Sequence, residues 1–377
     1  MGIQSLGNTC NELLEYCLRG KQWPDEVLDR ALAIDDGRAF LSIVIERLGD
    51  LFEPRLCETY DRLFTQAILR STPELDSRLR NPAEHPVPDT ANRVYVLSRV
   101  TLGADVAVTS VLLDAAKRRY PNAEIVFVGP LKSYELFEAD SRIKHRLAPY
   151  ARSGALKDRL RASANLWLDD GIVIDPDSRL SQLGLISLCE EHNYFHFPSR
   201  AYGGEGSEPL AKLAARWAHQ VLGVEGARPY VAPLRSTDPP ADITVSLGVG
   251  ENASKRLDDS QDRALLRTVA DTSASILVDK GGSAEERERV ERALLPGMRT
   301  HEGAFAPFAA QIATSKLFVG YDSAGGHVAS ACSVPLISIA KGFVSERMAA
   351  RWRPDGMVLN ENELAQVPEL ARRLLNT

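Results

Sequence analysis

The chain has 377 residues, 44% hydrophobic and 25% charged, a balance that fits two or three globular domains and excludes a disordered or coiled-coil protein. Its net charge of −6 resides in the first 90 residues, with 10 Lys/Arg against 16 Asp/Glu, while the rest holds 35 of each sign. No basic surplus points to nucleic acid as a partner, no apolar run approaches the ~18 residues of a membrane span, and the start does not read as a secretory signal.

Residues 9–80 carry helical periodicity. Phe52, Leu56, Tyr60, Leu63, Phe64, Ala67 and Ile68 fall on one face. Gly20, Pro24, Gly37 and Pro54 punctuate shorter helices. This predicts an all-helical N-terminal segment over 1–88, tied on by a proline-rich linker at 81–89. From Arg93 the pattern changes: VYVLSRV and EIVFVG read as buried strands, with a helix at 106–120 between them. DDGIVIDPDS is a third strand ending on polar residues, whereas EHNYFHFP fits a strand or a loop. Strand and helix alternate over 89–235, which predicts a parallel sheet covered on both faces. A proline-rich stretch at 229–240 precedes a second alternating set over 236–377, with strands at 243–250, 275–282, 316–323 and 334–340 and a last helix at 363–375. The expected class is α/β: two Rossmann-like domains facing a cleft, with ligand beyond the carboxyl ends of the strands.

The five cysteines are scattered without C-x2-C spacing and read as reduced thiols. The histidines do not cluster, and His192 and His196, four apart, belong to no HExxH pattern, so no metal site is expected.

Four motifs lie where strands give way to helices. Asp322, Ser323, Gly325, Gly326 and His327 stand in YDSAGGH, where backbone N–H groups and two glycines suit a pyrophosphate; Asp322 or Ser323 would equally cap a helix. LGVGENASKR ends in Lys255 and Arg256, which suit phosphate neutralisation or form a solvated basic turn. TLGAD places Asp105 at a turn facing the cleft, as a general base or an N-cap. DPDSR offers Arg179 to a carboxylate or phosphate, or to a surface ion pair.

The order of these motifs resembles family-9 glycosyltransferases, the heptosyltransferase-like enzymes. GADVAVTSVLLDAAKRRYPNAEIVFVG looks like that family's opening, DDGIVIDPDSRLSQLGLIS its third landmark, and EPLAKLAARWAHQVLGV the helix before its linker. ENASKRL, VDKGGSAEE and AQIATSKLFVGYDSAGGHVASACSVPLISI follow in the family's order. Ala104 and Ala324 stand where the family has glycines, each displaced by one residue.

The resemblance implies a GT-B fold and inverting transfer from a nucleotide-diphosphate sugar, ADP-heptose or related, without metal or cofactor. The acceptor would be a hydroxyl of a glycan, a lipid-linked molecule or another acceptor, as in lipopolysaccharide biosynthesis, and the protein would be cytoplasmic or peripheral at the inner-membrane face. Asp105 would be the base. Lys255, Arg256, Asp322, Ser323, Gly325, Gly326 and His327 would hold the donor, and Lys132 and Arg179 the acceptor. Two other readings stay open: a non-catalytic GT-B binding or scaffold protein, and a sugar-nucleotide epimerase. The segment 1–88 lies outside the family plan. It is expected to serve a protein partner, self-association or the wall of the acceptor cleft, or to be a plain structural cap.

Overall fold

The computed structural model describes residues 3–249, 253–272 and 274–375. Its first sheet is made of β1 (Arg93–Leu97), β2 (Glu124–Gly129), β3 (Ile143–Leu147), β4 (Ile172–Asp175) and β5 (Tyr194–His196), in the order β3-β2-β1-β4-β5. Every pairing in it is parallel. The second sheet has β6 (Ile243–Ser246), β7 (Ile276–Asp279), β8 (Arg299–His301), β9 (Leu317–Tyr321), β10 (Leu336–Ala340) and β11 (Met357–Asn360), ordered β11-β10-β9-β6-β7-β8 and again parallel. The inner strands are apolar along nearly their whole length because both faces of each sheet are buried.

Successive side chains of a strand point to opposite faces, and the first sheet sorts them accordingly. Val94, Val96, Ile125, Phe127, Ile172 and Ile174 join a core with helices Ser110–Arg119 and Leu210–Leu222. Tyr95, Leu97, Val126, Val128 and Val173 join a different core, whose other side comes from the N-terminal helices: Leu13, Phe40, Leu48, Leu63 and Phe64 among others. The helices Ile3–Leu18, Asp25–Ala33, Glu46–Asp50 and Pro54–Ser71 therefore roof one face of the first sheet. They are not a freestanding module. Arg78 ties the segment down through the carbonyls of Ser187 (2.9 Å), Ala164 (3.1 Å) and Leu166 (3.1 Å), and Arg80 through Glu191 (2.7 Å).

The two sheets are also joined. Phe308, Ala309, Ile312, Val328 and Ala329 of the second half share the first core with β1 and β2. Helix Glu346–Trp352 reaches across: buried Arg351 donates to the carbonyls of Tyr202 (2.8 Å) and Gly204 (2.9 Å), and Arg347 to that of Phe52 (3.2 Å). Among the described residues no helix is long and apolar enough to cross a membrane.

Candidate active site

In parallel sheets, ligands bind beyond the carboxyl ends of the strands where the strand order reverses. The first sheet reverses between β1 and β4, the second between β6 and β9. All four motifs sit at these two points. After β1 comes the turn that carries Asp105, after β4 the loop that carries Arg179, after β6 the loop of Lys255, and after β9 the Asp322–His327 run.

Backbone strain concentrates at the first point. Val100, two residues past Ser98, has φ 61°, and Asp177 has φ 68°. A β-branched residue in the left-handed region is rare, at ~1–3 kcal/mol, and such strain gathers at functional sites. The turn is held by Asp105, which accepts from Ser98 Oγ (2.7 Å), the Arg99 N–H (2.7 Å) and Thr109 Oγ1 (2.8 Å). Asp105 has no exposed surface. Burial pushes its carboxyl above the ordinary value, against the pull of its hydroxyl and N–H donors. The structure thus places Asp105 beneath the turn and not open to the cleft, because those three donors draw its carboxylate inward. The expected single helix over 106–120 is present and starts earlier: it runs unbroken from Leu102 to Arg119, widened to a π turn over Asp105–Thr109.

Beside this turn lies a cavity of about 90 Å³ that the sequence did not announce. Arg99, Arg159, Arg179, Arg200 and Gln182 line it from the first half, Trp352 from helix Glu346–Trp352 of the second, and Glu46, Asp50, Phe52 and Tyr60 from the helical segment. Arg179 pairs with Glu46 at 2.9 Å. Lys132 sits exposed on the short helix Leu131–Tyr134 and does not share this cavity with Arg179. Asp177 is fully buried. Burial alone would raise its carboxyl, but Arg200 at 3.0 Å, His196 at 3.5 Å and nearby Arg99 outweigh that and hold it well below the usual range.

At the second point, residues 250–252 of the glycine loop lie outside the described residues. Lys255 and Arg256 part company. Lys255 reaches Asp322, contacting both its carboxylate and its carbonyl, and lies 5.0 Å over the Phe343 ring. Arg256 turns to Glu285 (2.5 Å) and Glu286 (3.7 Å) on helix Ala284–Ala293. Acidic neighbours, not the cleft, take its charge. Ser323 occupies the N-cap position of helix Ala324–Ala331 in an extended conformation, but its side chain makes no cap hydrogen bond. Of the two glycines, Gly325 answers to packing: a Cβ there would stand 2.5 Å from the Phe318 ring. Gly326 meets nothing closer than 3.9 Å. His327 is buried, which lowers its pKa and favours the neutral ring, and it packs edge-on to Trp352.

The two points meet. A Cβ on Gly103 would lie 3.2 Å from His327 and 3.5 Å from the Ala324 Cα. The helical residues 102–104 ahead of Asp105 therefore rest on the start of helix Ala324–Ala331, and a side chain at 103 would require the His327 ring to give by a few tenths of an ångström.

No protein-family model matches the chain, and no curated protein matches it. Solved structures do. The E. coli heptosyltransferase WaaC with ADP-2-deoxy-2-fluoro heptose is 16% identical with a TM-score of 0.55, over 75% of this chain and 99% of that one. A glycosyl transferase family 9 protein from Veillonella parvula DSM 2008 gives 16% and 0.55, over 78% and 99%. E. coli ADP-heptose lps heptosyltransferase II gives 16% and 0.53, over 75% and 98%. The chain has the GT-B fold that these heptosyltransferase structures share.

Proposed function

We propose that the protein is an inverting glycosyltransferase that moves a sugar from a nucleotide-diphosphate donor to an acceptor hydroxyl. The observation that carries this is the uncapped start of helix Ala324–Ala331 at the β6/β9 reversal, with Ser323 and the Lys255–Asp322 pair beside it. A helix N-terminus with free N–H groups and an adjacent lysine suits a diphosphate. The acceptor approaches from the β1/β4 side.

In the step, the acceptor oxygen attacks the anomeric carbon and the bond to the diphosphate breaks. The hydroxyl proton passes to the Asp105 carboxylate, and the charge left on the diphosphate falls to Lys255, Ser323 and the helix start. A carboxyl raised by burial is the stronger base. Since Asp105 is enclosed, transfer requires the helix start at 102–104 that carries it to shift. The same movement uncovers the helix start for the diphosphate. The donor is a nucleotide sugar of the ADP-heptose kind and the reaction needs no metal. It runs in the cytoplasm, peripherally at the inner-membrane face where the acceptor is lipid-linked.

A second reading, a GT-B protein that binds the nucleotide without transfer, is favoured by one observation, the enclosure of Asp105. Calorimetric titration with ADP, GDP, UDP and dTDP, followed by turnover of the matching sugar nucleotide with acceptor extracts, tests both. Lys255→Ala should weaken diphosphate binding by a charge-assisted contact worth ~1.5–3 kcal/mol, about tenfold or more. Equal affinity in wild type and variant refutes the donor site. Binding without turnover selects the second reading.

A further inference from the structure

The cavity under the helical segment holds four arginines, Arg99, Arg159, Arg179 and Arg200, against three carboxylates, Glu46, Asp50 and Asp177. Arg159 and Arg200 are each only 6% exposed, yet Arg159 Nε and Arg200 Nη1 have no hydrogen-bond partner. Buried donors are rarely left so, and a site that does leave them calls for an acceptor from outside. Arg99 donates to neutral groups, the Pro176 carbonyl and the Ser199 hydroxyl. Asp50, largely enclosed, is pushed toward its neutral form by burial, which increases the positive excess. Aromatic faces hold the guanidinium groups in place: Tyr60 lies 4.3 Å from Arg200, Trp352 5.6 Å from Arg99 and Tyr150 5.8 Å from Arg159.

One carboxylate already sits among these cations. Glu46, presented by the helical segment, is 2.9 Å from Arg179, 3.8 Å from Arg159 and 3.9 Å from Arg152. It shows which chemistry the cluster accepts. Planar guanidinium forks match carboxylate and phosphate oxygens alike. The cavity volume of about 90 Å³ compares with the roughly 10–15 Å³ that one water needs on the same measure, so it admits one small polar group and not a whole sugar chain.

We propose that this cavity binds an oxyanion group of the acceptor, a carboxylate or a phosphate, which displaces Glu46 from Arg159 and Arg179 and engages the unpartnered nitrogens of Arg159 and Arg200. The helical segment then has a function besides covering the sheet: Glu46 is an internal competitor that sets how strongly the anion binds. A ligand that must displace a resident group binds more weakly by the fraction of molecules in which the site is open. The proposal rests on the β1/β4 end being the acceptor side, but the binding of the anion does not require transfer.

The test uses the full chain, saturated with ADP so that phosphate does not report on the donor helix. Calorimetric titrations with sodium phosphate and with sodium acetate, at matched ionic strength in chloride, compare wild type, Glu46→Gln and Arg179→Gln. Glu46→Gln should bind the anion about tenfold more tightly and Arg179→Gln about tenfold more weakly, the scale of one charge-assisted contact. Phosphate binding alone assigns a phosphate, acetate binding alone a carboxylate, and either supports the site. No saturable binding in both wild type and Glu46→Gln overturns it, as does one affinity shared by all three proteins. If Arg179→Gln does not fold, the Glu46→Gln comparison decides. ADP binding, read first in each protein, reports separately on the donor reading.

Discussion

Removing residues 1–88 should leave a chain that does not fold stably. The perturbation strips the roof from one face of the first sheet. Tyr95, Leu97, Val126, Val128 and Val173 are between 0 and 6% exposed, and their partners across the core lie in the helical segment. Burying such a side chain is worth ~1.5–3 kcal/mol, so five of them amount to roughly 8–15 kcal/mol. Helix Leu156–Ala164 remains on that face and keeps part of the cover. Even half the sum rivals the ~5–15 kcal/mol net stability of a whole domain. The arginine anchors would go as well, since Arg78 and Arg80 satisfy carbonyls at 164, 166, 184 and 187. The assay is expression of a chain beginning at Asp89, followed by gel filtration and urea unfolding monitored by circular dichroism. Aggregation, or a non-cooperative transition at low urea, is the expected result. A soluble monomer unfolding cooperatively at the full-length midpoint would refute the reasoning and return the segment to the status of an appended module.

Two further outcomes follow from the buried carboxylates. Asp105→Asn should abolish transfer, a loss of ~10²–10⁴ in rate if the base is removed, while ADP binding measured by calorimetry stays intact; the amide cannot accept from all three donors, so the melting temperature should also fall by the equivalent of ~1–3 kcal/mol. Asp177→Asn breaks the buried pair with Arg200 and should destabilise by ~3–5 kcal/mol at pH 7. Because the folded state holds Asp177 below its unfolded value, its contribution is complete above the ordinary aspartate pKa and is lost as pH falls beneath it. The gap between wild type and variant, read from urea midpoints, should narrow below about pH 4, and a constant gap down to pH 3 would reject the assignment.

The inner strands were legible because burial on both faces writes a continuous apolar run. β1, β2, β4, β6, β7, β9 and β10 all carry that signal. β3, β8 and β11 gave no pattern, and β5 fitted a strand or a loop. All four stand at sheet edges, where a short strand buried on fewer sides holds residues such as Lys144, Arg146, Arg299 and Asn360. The positions of the four motifs were legible for a similar reason, since each follows a readable strand. Their partners were not. Nothing in the sequence tells that Arg256 finds Glu285 while Lys255 finds Asp322, or that Gly325 is there for Phe318. The arginine cavity was invisible because its lining comes from residues 46, 99, 159, 179, 200 and 352, which only tertiary packing gathers. The acidic charge of the helical segment was plain, but its use was not: Glu46 is one of many surface-like glutamates until Arg179 is set 2.9 Å away.

The seam between the halves gives these separate features one mechanical consequence. Trp352 borders the arginine cavity and also packs against His327 of helix Ala324–Ala331, and against Phe52 of the helical segment at 6.4 Å. Gly103 lies against the start of the same helix. Thr101, Ala104 and Trp352, which border the cavity, therefore stand beside the residues that touch the start of that helix. The restraints across the seam include the Arg351 bonds to Tyr202 and Gly204, the Arg347 contacts with Phe52 and Glu205, the Trp352 contacts with Phe52 and Arg99, and the apolar contact of helices Phe305–Thr314 and Ala324–Ala331 with the first core. Separation exposes apolar area, so neither ligand alone need open the seam far, and each lowers what the other must supply. Donor and acceptor-side anion should for that reason bind with positive coupling, which is the arrangement a transferase requires if Asp105 is to be uncovered only when both substrates are present.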